Sequence, residues 1–371
     1  MSELPENFDD LSLNEKLIAY AKVGDLAGVT ELLAEGADIN YAGNANYTPL
    51  SIASMRGHLE VVKYLLNHGA DASFPATDES HIHEWVDEET PEGKKIISLL
   101  KARVAKDKKL YRAIEKHSLE LMQEAIDAGA NVNASYIEKN GSPSLSPISF
   151  LIFNARQFGN YPPDFVLEAC KMLVANGAKP SVYFGVDIEN SLFLNIPELP
   201  LVLLGIPGCN YAEILNSHSL LGLGASIAIP EIALPLCKRM IELGADVNQP
   251  SDYVFTPLAR TRCHEVATLL VEAGAKVDGL EGGRPSHTPL ACLANEFAES
   301  SDEATRSTLL KTAKYLIQRG ADVAKALSVR YEDADVSVSF LKQAQAEAQA
   351  DSLRIDSLGS QAIPTTLREG M

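Results

Sequence analysis

Apolar positions along the chain fall into short runs at helical spacing, punctuated by glycine. In residues 48–71, Leu50, Ile52 and Ala53 form one brief apolar face, and Gly57 follows. Leu59, Val62, Leu65 and Leu66 then form a second stripe with a period near 3.6, closed by Gly69. Thr48 suits a helix N-cap and Pro49 the first helical position, where no N–H is needed. Gly57 suits the tight turn between two antiparallel helices, Gly69 a left-handed helix end, and Asp71 a turn stabilised by its own carboxylate. The pattern predicts two short helices and a turn. So thin a pair cannot bury its apolar face alone and needs neighbours on both sides.

The neighbours are in the sequence. Residues 16–40 keep the layout with Glu15-Lys16-Leu17 in place of Thr-Pro-Leu, and residues 109–133 align with them without a gap. Ser146-Pro147-Ile148 leads to Gly177-Ala178, and another unit ends at Gly244-Ala245-Asp246-Val247-Asn248. Thr256-Pro257-Leu258 leads to Gly274-Ala275, and Thr288-Pro289-Leu290 to Gly320-Ala321. These motifs resemble ankyrin repeats, about eight of them between residues 10 and 323. The resemblance implies an all-α solenoid with short hairpin connections and degenerate internal repeats.

Domain organisation follows from the same spacing. Residues 1–323 read as the array, opened by a charged capping repeat at 10–42. The unit at 74–104 lacks Thr-Pro-Leu and is recognisable only by Ile96, Leu99 and Leu100. The unit from Thr256 is short by roughly one helical turn, about 3.6 residues. Glu299 to Glu303 looks inserted between two helices. An irregular insert occupies about 182–217, where Val182 to Val186 reads as a short strand or extended loop. Residues 324–350 read as a C-terminal capping helix packing through Val338, Phe340 and Leu341, and 351–371 as a mobile tail.

Composition narrows the function classes. With 32 basic and 50 acidic residues the net charge is −18, which repels nucleic acid. The apolar stretches 192–208 and 219–237 are broken by prolines and glutamates, so neither reads as a membrane span. The acidic start Met1-Ser2-Glu3 disfavours a targeting leader. Five cysteines without paired spacing fit a reducing cytoplasm, with Cys170 and Cys237 as core residues.

Chemistry-bearing residues are sparse. His81 and His83 stand two apart and do not share a helix face, and no third ligand follows at a metal-site spacing. Cys263 and His264 are adjacent in sequence, which is not how a nucleophile and its base meet. Neither catalytic residues nor a cofactor or metal is expected, and the chain reads as a non-enzyme.

The resemblance implies recognition through a concave face built from hairpin tips and first helices. Tyr47, Met55, Arg56, Arg156, Phe158, Phe255, Arg260, Arg262 and His287 are the groove candidates; Tyr, Phe and Arg are common at binding hot spots. Asp78, Glu79, Glu84, Asp87, Glu88 and Glu89 form an acidic patch suited to a basic partner surface. The leading expectation is a monomeric cytoplasmic protein that binds a protein partner, as a host-directed effector or adaptor. An inhibitor or immunity-type protein blocking an enzyme fits equally, and an enzyme with its site in 182–217 is the reading of another class.

Overall fold

The computed structural model describes residues 4–5, 7–43, 47–73, 81–135, 145–179, 183–251 and 254–360, with side chains to 354. Two compact units form, one from Met1–Val202 with Ile206–Gly208, the other from Leu203–Gly205 with Cys209–Met371. Both are helical. Among the described residues there is no strand, and Ser251 and Phe255 make an isolated antiparallel bridge.

The N-terminal unit contains α1 (Leu13–Val23), α2 (Leu26–Ala34), α3 (Pro49–Met55), α4 (Leu59–Asn67), α5 (Pro91–Glu115), α6 (Leu119–Asp127), α7 (Pro147–Phe158), α8 (Pro163–Ala175) and α9 (Phe184–Leu192); α10 (Leu199–Leu203) follows. First helices stack on first helices, α1 on α3 and α7 on α9, while α2 meets α4 and α6 meets α8. The C-terminal unit contains α11 (Tyr211–Ser217), α12 (Leu220–Ala225), α13 (Pro230–Glu242), α14 (Pro257–Arg260), α15 (His264–Glu272), α16 (Pro289–Glu299), α17 (Glu303–Gln318), α18 (Val323–Leu327) and α19 (Ala334–Ser360). There α12, α14 and α16 form one layer and α13, α15 and α17 the other.

A single local device ends seven of these helices. Gly36, Gly69, Gly129, Gly177, Gly244, Gly274 and Gly320 all have positive φ. The alanine after each donates its N–H back to Leu32, Leu65, Ala125, Leu173, Met240, Leu270 and Leu316 respectively, at 2.9–3.0 Å. This is the 6→1 bond of a Schellman end, and the residue whose carbonyl accepts it is in every case buried. Helix termination and core packing are thus fixed at one position.

Side-chain amides then tie hairpin to hairpin. Asn133 accepts the Lys179 N–H at 2.6 Å and donates to the Gly177 carbonyl at 3.0 Å. Asn248 does the same to Lys276 (2.8 Å) and Gly274 (3.2 Å), and Asn216 to Asp246 (2.8 Å) and Gly244 (3.3 Å). Starts are capped as the sequence indicates: Thr48, Ser146, Thr256 and Thr288 each accept the N–H three residues on. His58 donates its Nε2–H to the Lys22 carbonyl (3.0 Å), steadying the turn of the preceding pair.

Four expectations need correction. The second half of the unit at 74–104 and the first helix of the next are one 25-residue helix, α5, because residues 101–109 contain no glycine or proline to stop it. Thr90-Pro91 starts it, with the Thr90 hydroxyl accepting the Gly93 N–H at 3.0 Å. The 182–217 stretch is not strand-like: its described part is helical, with Phe184 and Ile188 buried. Glu299 to Glu303 is no insert either, since α16 and α17 are simply longer and meet across Ser300–Asp302. Finally, helix continues past residue 350 to Ser360, with Phe340 stacked on Phe297 at 4.4 Å; residues 361–371 lie outside the described ones.

Candidate functional site

The residues that immediately precede the Thr-Pro caps, together with the first helices, carry the aromatic and arginine candidates. In the N-terminal unit Tyr47 is half-buried and lies edge-on to Trp85, ring centroids 5.6 Å apart. It therefore covers the 3-10 turn Ile82–Trp85 as well as presenting an edge to solvent. Met55 is half-buried at the end of α3, and Arg56 is exposed as its C-cap.

Farther along the same unit, Arg156 and Phe158 sit at the end of α7, with Phe158 65% exposed. The Arg156 guanidinium lies over the Phe193 ring at 5.0 Å. Phe193 is 48% exposed and Phe153, one turn back on α7, is 47% exposed. Phe153 and Phe193 were not among the sequence candidates. The i, i+3 spacing of Phe153 and Arg156 was legible, but the approach of Phe193 depends on α9 packing against α7.

The C-terminal unit gathers four sequence candidates in one place. Phe255 meets His287 edge-on at 4.8 Å, and the Arg260 guanidinium stands over Phe255 at 5.8 Å. Arg262, exposed, pairs with Glu296 at 3.2 Å. Phe255, Arg260, Arg262, Leu293 and Glu296 surround a recess of about 300 Å³. Burial, assisted by Arg284, pulls the His287 imidazole below its ordinary value, so the ring is neutral at pH 7. Cys292 also lines the recess, but burial pushes its thiol up to about 12, which removes it as a nucleophile. Such a site offers ring faces, guanidinium donors and shape. It suits recognition rather than bond-breaking.

A second depression, about 430 Å³, lies among His264, Lys311, Lys314, Tyr315 and Glu347. Its charges are already engaged: Lys314 pairs with Asp351, Lys311 approaches Glu265 at 3.8 Å, and Gln343 donates to Glu347. His264 opens α15, with Cys263 as the N-cap residue.

Of the acidic patch, Asp78 and Glu79 lie outside the described residues. Glu84, Asp87, Glu88 and Glu89 are exposed. Asp87 accepts the Glu89 N–H at 3.0 Å and so shapes the turn into α5, where negative charge also complements the helix N-terminus. In the 182–217 stretch the buried Asp187 accepts the Ser149 hydroxyl at 2.6 Å, joining α9 to α7. Among the described residues no cluster of three His, Cys, Asp or Glu is arranged to hold a metal ion, and no helix is long and apolar enough to cross a membrane.

A family profile described as ankyrin repeats, in three copies, matches residues 17–136. Residues 17–136 are ankyrin repeats. The match spans α1 to α6, including the fused α5, and the all-α architecture is that of an ankyrin array. No curated protein matches the chain. Ankyrin repeats are protein-interaction modules and are generally non-catalytic, which agrees with the kind of site the geometry builds.

Proposed function

We propose that this ankyrin array is a non-enzymatic recognition protein that binds a protein partner through the face carrying its first helices and hairpin tips. One observation carries the reading. Phe255, Arg260 and Arg262 line a single recess in the C-terminal unit, with His287 packed edge-on against Phe255 beside it and Arg262 half-exposed in its pair with Glu296. Aromatic and arginine side chains held by ring contacts lose little entropy on binding, which is what a hot spot requires. In the N-terminal unit the Phe153–Arg156–Phe193 platform is a second contact of the same kind. Glu84, Asp87, Glu88 and Glu89 favour a partner with a basic surface there, contributing mainly to association rate. The five free thiols fit a reducing cytoplasm, and the protein acts as a monomer apart from its partner. A groove of this type serves an adaptor, a host-directed effector or an inhibitor that occludes an enzyme; the partner's identity distinguishes them.

The test is a captured, purified partner titrated against Phe255→Ala and Arg262→Ala. Each is expected to weaken binding by about 1–3 kcal/mol with little change in melting. Parental affinity in both places recognition on another surface.

A further inference from the structure

The hairpin ladder of the N-terminal unit contains a splice. Because α5 runs unbroken through two units, the hairpin at 69–73 and the hairpin at 129–135 meet directly, 62–64 residues apart in sequence. Asn131 donates its side-chain N–H to the Gly69 carbonyl at 3.1 Å, and Asp71 accepts the Ser135 N–H at 2.8 Å. Arg103, on α5, donates to the Leu66 carbonyl and, at 3.0 Å, to the Gly129 carbonyl, spanning the two helix ends.

Inside this joint sits a carboxyl group that the groove does not use. Along α5 the buried positions Ile96, Leu100, Leu110, Tyr111 and Ile114 are apolar or aromatic, but Asp107, within the same stripe, is 2% exposed. One oxygen of Asp107 accepts the Asn131 N–H at 2.7 Å; the other is buried without a hydrogen-bond partner. Asp71 is itself 3% exposed and spends its oxygens on the Ser73 and Ser135 N–H groups. The ionised joint thus holds two buried anions, with Arg103 committed to carbonyls.

We propose that this joint is proton-responsive: it tightens when Asp107 takes up a proton and loosens when the proton is lost. The charged groups around Asp107 set where this happens. Burial pushes its carboxyl up to about 7 from 3.8; the Asn131 N–H and the Arg103 charge oppose the rise, Asp71 adds to it, and Lys106 opposes it. The sign is the reverse of ordinary acid denaturation. A raised carboxyl binds its proton in the closed joint and releases it in the opened one, so the stabilisation is complete below 3.8 and is lost as pH rises through 7. Between those values the opening equilibrium grows about tenfold per pH unit and then levels off. The inference is independent of the groove reading and concerns how firmly α4 and its hairpin are held to α6.

Two measurements on the intact chain test it. In a carboxyl-carbon NMR titration, Asp107 is expected to titrate near 7; a midpoint near 4 overturns the proposal. Hydrogen exchange of the amides in 129–135 supplies the mechanical readout. Their protection should fall as pH rises from 5 to 7 in the parent relative to Asp107→Asn, in which the group no longer titrates. A parent-to-variant ratio constant from pH 5 to 8 refutes the joint's response. If the variant fails to fold, the NMR midpoint of the parent still decides.

Discussion

Leu65 is the position where the stack's nearest-neighbour logic can be tested most sharply. Its side chain is fully buried in a cluster with Leu17, Val29, Leu50, Val62, Ile82, Ile96 and Leu100. Its carbonyl also accepts the Ala70 N–H at 2.9 Å, so the residue serves core and hairpin together. Leu65→Ala deletes three carbons, worth about 2.4 kcal/mol at about 0.8 kcal/mol each. The unfilled cavity adds to this, for a total of about 3–4 kcal/mol. Leu65→Asp should cost more, since a buried unpaired carboxylate is added to the lost packing. The readout is hydrogen exchange by mass spectrometry on the full chain. In a repeat array each unit packs on its neighbours, so protection should fall first in α1 to α5 and persist in α15 to α17. Parental exchange in α4, or equal loss in α4 and α17, would refute this reasoning.

Further predictions follow from the clamps, the caps and the thiols. Asn133→Ala removes both bonds to the 177–179 backbone and should cost about 1–2 kcal/mol by denaturant unfolding, with Asn133→Asp retaining only the bond from the Lys179 N–H. Thr288→Ala removes a buried N-cap that also donates to the Pro285 carbonyl (2.9 Å) and should cost about 1–2 kcal/mol on the same measure. In limited iodoacetamide labelling at pH 7.5, Cys209 should react before Cys170 and Cys237. The latter two are fully buried, and burial holds their thiols far above the ordinary range; rapid labelling of Cys170 in native protein would contradict the packing around α8.

The sequence carried the local rules well because each is enforced within a few residues. Gly-Ala after a second-helix apolar stripe specifies a Schellman end at seven positions, although Gly224-Ala225 lies within α12, and Thr-Pro specifies a capped start. The fusion in α5 is also written locally, in the absence of glycine or proline across 101–109 and in the Thr90-Pro91 start. Residues 182–186 show the limit of propensity. Tyr and Phe favour strands in isolation, yet Phe184, at the start of α9, is 2% exposed, and the Asp187–Ser149 bond (2.6 Å) joins that helix to α7. The recess near Phe255 was legible because Phe255, Arg260 and Arg262 belong to one short unit. The Phe153–Arg156–Phe193 platform was only half legible, since its third member arrives by tertiary packing.

The central claim is recognition through the first-helix face, and the most direct measurement is calorimetric titration of a purified partner against four variants of matched fold. Phe255→Ala and Arg262→Ala alter the proposed face; Lys171→Ala on α8 and Lys238→Ala on α13 alter exposed positions of second helices. The account predicts that affinity falls by roughly 5–150-fold, about 1–3 kcal/mol, in the first two and stays parental in the last two. Parental binding by the first pair, with loss in the second, would contradict it.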